Sequence, residues 1–108
     1  MGQGIDVHKI AEDLDLQTDM GGEFLQLALD NVKLFDSKQV DYGSDNIAHN
    51  GELGVMVRST DKVSRMRNLL FKQLKGEDKV NHESLEDTYR DIANYGIIGL
   101  MLKKGLWK

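Results

Sequence analysis

LGVMVRSTDKVSRMRNLLFKQLK, residues 53–75, reads as one uninterrupted amphipathic helix. Met56, Val63, Met66, Leu70 and Leu74 cluster on one side of its helical wheel, while Arg58, Asp61, Arg65, Asn68 and Lys72 cluster on the other. Gly76 follows, and glycine commonly ends a helix because it enters the left-handed region without a Cβ clash. Downstream, Asn81 offers an N-cap, and Glu83, Glu86 and Asp87 fall in or near the first turns, where the helix dipole favours negative charge. That helix is expected to run from about Asn81 to Lys104, with Leu85, Tyr89, Ile92, Gly96 and Leu100 on its apolar face.

Upstream, the period lapses between Asp36 and Gly51, and the turn formers of Asp41-Tyr42-Gly43-Ser44-Asp45-Asn46 predict a loop there. From about Gly22 to Phe35 it returns: Phe24, Leu27, Ala28, Asn31 and Phe35 form one line, widened by Leu25, Leu29 and Val32, which predicts a largely buried helix. Val7, Ile10, Ala11 and Leu14 mark a short first helix. Two long and two short helices predict an all-α fold, a small bundle of about four helices open to completion by oligomerisation. With 108 residues and no internal repeat or linker, one helical domain is expected.

Composition narrows the function. There is no Cys, so disulfides, a thiolate nucleophile and a Cys-based zinc site are excluded. There is no Pro and there are 11 Gly, which lets helices run unbroken to glycine ends. The formal charge is −4, so nothing draws the whole chain to a polyanion, and duplex DNA is not the expected partner. Residues 1–6 read as neither signal peptide nor myristoylation motif, with Asp6 where that motif has Ser or Thr. The longest nearly apolar run, Gly96 to Leu102, is far shorter than the roughly 20 residues of a membrane span. A chain in the cytoplasm with no membrane contact is expected.

Three constellations could carry chemistry. Glu83, Asp87 and Asp91 recur at i, i+4, i+8, a row of carboxylates that could hold Mg²⁺ together with substrate phosphate, or could serve the helix dipole and surface ion pairs. Arg58, Asp61, Lys62 and Arg65 place cations around one acid and could clamp phosphate oxygens, or form a solvated i,i+4 pair. If the two long helices are antiparallel neighbours, the basic and acidic rows face each other, as a metal-phosphate site or as an interhelical salt-bridge network. Tyr42 and Asn46 could flank a nucleobase, or simply belong to a turn. His8, His49 and His82 lack zinc spacing, Ser59, Ser64 and Ser84 lack a nucleophile-elbow context, and Trp107 reads as a packing or subunit-contact residue.

The segments Asp41-Tyr42-Gly43, VRSTDKVSR (57–65) and ESLEDTYRDIANYG (83–96) resemble the nucleotide modification associated domain 1 family, common in phage genomes. The resemblance spans about Asp36 to Lys103, leaving residues 1–35 as a variable N-terminal part and 36–104 as the family-like region. It implies a phage-type domain associated with nucleotide or modified-base metabolism in the host cytoplasm; joined to the charge rows above, the expected reading is a Mg²⁺-dependent nucleotide-binding domain or nucleoside triphosphate pyrophosphatase, with Arg58, Asp61, Lys62, Arg65, Tyr42, Asn46 and Asn94 toward the nucleotide and Glu83, Asp87 and Asp91 toward Mg²⁺. The last helix is similar, more loosely, to MazG-like all-α nucleoside triphosphate pyrophosphatases. Glu83-x-x-Glu86 and Asp87-x-x-x-Asp91 only approximate the metal-binding helices of that group. The alternative class is a non-catalytic oligomeric binding protein that sequesters a nucleotide signal or inhibits a host protein.

Overall fold

The computed structural model describes residues 4–76 and 82–108; the side chains of residues 82 and 83 lie outside it. Among the described residues the chain forms four helices and no strand: α1 (Val7–Asp13), α2 (Asp19–Tyr42), α3 (Asp45–Leu74) and α4 (His82–Lys103). Asn81, the expected N-cap of α4, falls outside the described residues. The chain divides into two compact units, residues 1–38 and 39–108.

In the first unit, Asp6 caps α1 by accepting from the Lys9 backbone N–H at 3.1 Å. The helix closes with Asp15 in the left-handed region, φ 55°, while the Asp15 N–H donates to the Glu12 carbonyl at 3.0 Å and the Leu16 N–H to the Ala11 carbonyl at 3.1 Å. These two bonds satisfy carbonyls that the helix end would otherwise leave orphaned. The Thr18 hydroxyl then accepts from the Gly21 N–H at 2.9 Å and starts α2. Neither α1 nor α2 contains a buried residue, and Phe24 (77% exposed) and Leu27 (63%) face solvent. The expectation of a largely buried second helix therefore does not hold within the single chain.

The predicted loop at 36–51 is mostly helical. Asp36 to Val40 are polar or β-branched but helix-competent, and no helix breaker occurs before Gly43, so α2 continues to Tyr42. Loss of apolar period marked a solvated turn of helix there. The break is confined to Gly43 (φ 69°) and Ser44. A second irregularity lies inside α3, at Gly51 (φ 58°, ψ −146°), a combination open essentially to glycine alone. A Cβ on Gly54 would in turn collide with the Asn50 side chain just before this kink. Gly51→Ala is expected to lower the unfolding free energy by about 1–3 kcal/mol, measured by urea titration; an unchanged midpoint would mean the kink is not required.

In the second unit α3 and α4 pack as an antiparallel hairpin. Val55 lies against Gly99, and Lys62 against Asp91, so later residues of one helix meet earlier residues of the other. The buried apolar side chains are Ile47, Val55, Leu85 and Ile98, joined by the polar Thr88 and Asn94. Thr88 satisfies its hydroxyl by donating to the Ser84 carbonyl at 2.7 Å.

The packed faces are rotated from those expected. In α4, Leu85, Thr88, Asn94 and Ile98 are buried, whereas Tyr89 and Leu100 are about half exposed. In α3, Arg58, Ser59 and Lys62 are partly buried, while Met56, Val57 and Val63 face solvent. Polar Thr88 and Asn94 share the buried face with the apolar residues, so apolar spacing alone misplaced the seam.

The far end of the hairpin is tied by the residues after α4. The Trp107 indole N–H donates to the Ser44 carbonyl at 3.0 Å, the Ser44 hydroxyl donates to the Lys108 carbonyl, and Gln39 Nε2 donates to that hydroxyl at 2.9 Å. Ser44 therefore uses its side chain on the tail rather than on the first turn of α3. Among the described residues no helix is long and apolar enough to cross a membrane.

Candidate functional site

Arg58, Lys62 and Arg65 recur at i, i+4, i+7 and so share one side of α3. In the hairpin Arg58 and Lys62 are partly buried on that side, while Arg65 stays exposed. Lys62 Nζ reaches Asp91 Oδ2 at 2.8 Å, with the two side chains only 29% and 16% exposed. The basic and acidic rows thus do meet, at this one described ion pair. Beside it lies an open depression of about 420 Å³ lined by Arg58, Asp61, Lys62, Arg65 and Tyr95. Its lining carries three cations and one acid, with an aromatic ring on the α4 wall.

The arrangement suits an anion. Arg presents a planar fork that can hold two oxygens of one phosphate, while Lys acts as a compact point charge. Asp91 fixes the Lys62 ammonium at the helix contact, which orders it toward the groove edge without removing its remaining donors. Tyr95 stands one turn after Asp91 and could stack on a base or sugar. Sequence reasoning placed Tyr95 in a motif but not in the site; its i+4 spacing from Asp91 was the available signal.

The other expected residues are dispersed. Asp87 is 64% exposed and is held by Arg90 at 3.2 Å, and Arg90 also lies 3.6 Å from Glu86. Tyr42 (71% exposed) and Asn46 flank the α2–α3 break, and neither lines the depression. Asn94 is buried in the hairpin. The Glu83 side chain lies outside the described residues.

Magnesium demands hard oxygen ligands but commonly takes only one or two carboxylates when substrate phosphates complete its shell. Among the described residues no three His, Asp or Glu side chains gather as a metal site. The described members of the acid row, Asp87 and Asp91, are each engaged by a cation. Neither of them lines the depression, and an ion there would need phosphate oxygens to complete its shell.

Fold and site define an all-α domain with a basic, tyrosine-edged groove along a helical hairpin. The chain belongs to the nucleotide modification associated domain 1 family, which matches residues 38–102 and so takes in the whole groove. The family description associates the domain with nucleotide modification. The chain matches no curated protein and no solved structure.

Proposed function

We propose that the domain binds the phosphates of a nucleotide or modified nucleotide in the α3–α4 groove. Arg58 and Arg65 grip phosphate oxygens, Lys62 adds a third positive charge, and Tyr95 offers its ring to the base or sugar. The observation that carries this reading is the convergence of three cations and a tyrosine on one depression within the family-matched segment. Its size, about 420 Å³, falls within the range of small-molecule sites. Asp61 and Asp91 temper the positive field, which favours a ligand oriented by specific contacts over an indiscriminate polyanion.

Were Mg²⁺ bound together with the ligand's phosphates, Asp91 and Asp87 would be the described carboxylates to hold it. Bound there, it would withdraw electron density from a phosphoryl oxygen and so assist pyrophosphohydrolysis. The chain's own contribution is to hold the phosphates in one orientation.

Pairing of both described acids of the row with cations favours a second reading, a non-catalytic binding protein that retains the nucleotide intact.

Calorimetric titration with a panel of nucleoside triphosphates, with and without Mg²⁺, tests the proposal. Binding is expected, and Arg58→Ala with Arg65→Ala should weaken it at least about tenfold, since charge-assisted bonds each contribute roughly 1.5–3 kcal/mol. Folded wild type that binds none of the panel, or a double variant that binds equally well, sinks the site. Chromatography of the ligand after incubation separates hydrolysis from retention.

A further inference from the structure

Met20, Phe24, Leu27, Asn31 and Leu34 follow the alternating 4–3–4–3 spacing of a heptad seam along α2. They lie within an arc of about 80° on the helical wheel, from 100° per residue. The first three are 80%, 77% and 63% exposed, and Asn31 and Leu34 are partly exposed, on a helix that contains no buried residue. Leu25 and Leu29, on the other side of α2, are only partly exposed. The helix therefore has a second apolar stripe with a coiled-coil period.

We propose that this stripe is the dimer seam of the protein: α2 pairs in parallel with α2 of a second copy. Asn31 occupies a position equivalent to that of Phe24 one heptad earlier. A lone Asn at this kind of seam position meets its own counterpart only when the helices run parallel and in register, where the two amides bond to each other. In an antiparallel pair it would face an apolar side chain and lose that bond. The flanks agree. Glu23 and Asp30 border the seam on one side and Ala28 and Phe35 on the other, so a parallel pair sets each acid against an apolar residue of the second copy and no acid against an acid.

The area is sufficient. An exposed aromatic can bury on the order of 150–250 Å². Met20, Phe24 and Leu27 with their neighbours then bury roughly 600 Å² per copy, or about 1,200 Å² in a pair, the lower end of the range for specific interfaces. The seam lies wholly before the family-matched segment, so the pairing does not depend on the nucleotide reading.

Sedimentation of the full chain over a wide concentration range should show a reversible dimer, lost in Leu27→Asp and in Phe24→Glu. Because the chain has no Cys, one introduced thiol reports geometry without background. Asn31→Cys should oxidise to a covalent dimer, and Asp36→Cys, on the opposite side of α2, should not. A wild type that stays monomeric throughout, or a dimer that survives Leu27→Asp, overturns the seam. Equal cross-linking by both thiol variants overturns the parallel register, and it does so even if the charge variants fold poorly.

Discussion

Ile98→Ala is expected to lower the unfolding free energy by about 2–4 kcal/mol, the usual cost of a large-to-small change at a buried aliphatic position. Leu100→Ala, two residues away and equally apolar, should cost less than about 0.5 kcal/mol. Ile98 is 7% exposed, and it belongs to the small set of buried apolar residues described for the hairpin; Leu100 is 58% exposed. With so few side chains in that core, a deleted one has little around it that can close the gap. For a unit of this size the Ile98 loss corresponds to a fall in Tm of roughly 10–25 °C. The paired thermal melts test the rotation of α4: comparable losses would mean that Leu100 points inward, as its spacing in the sequence suggested.

Asp91→Ala should destabilise the fold by about 2 kcal/mol. An exposed ion pair rarely contributes more than about 1 kcal/mol, but removal of one member of a buried pair strands the other and can cost about 3–5 kcal/mol. At 16% and 29% exposure, Asp91 and Lys62 fall between these limits. Lys62→Met combined with Asp91→Leu should recover most of the loss, because neither charge is then left without its counterpart. Urea titration of the single and double variants provides the check. If Asp91→Ala is neutral and the double variant no better, the pair has no part in holding α3 against α4.

The helices were largely legible in the sequence. Their apolar periods and their ends at Leu14 and Gly76 reported α1, the later part of α3 and most of α4, and local capping chemistry explains why. Two features were not. The stretch from Asp36 to Val40 lacks an apolar stripe yet continues α2, because a solvated turn requires only the absence of breakers. The hairpin seam takes in Thr88, Asn94 and Gly99, which a search for apolar spacing does not select. The same error of phase hid part of the site. Arg58 was grouped with the polar face opposite the apolar stripe, when it is partly buried on the wall of the groove beside Lys62. A basic row facing an acidic row was foreseen as one consequence of antiparallel helices, though not which pair would meet, and Tyr95 became part of the groove only once the rotation of α4 was known.

The bond from Trp107 to Ser44 spans 63 positions along the chain. A hairpin of two helices closes most cheaply from its connected end, because each new contact then adds only a short loop. The opposite end, where the tail meets the α2–α3 break, is last in that order and first to fray. Trp107 is the chain's only tryptophan. Its emission therefore follows the completion of the hairpin rather than its nucleation, and gives the folding reaction a natural end-point signal.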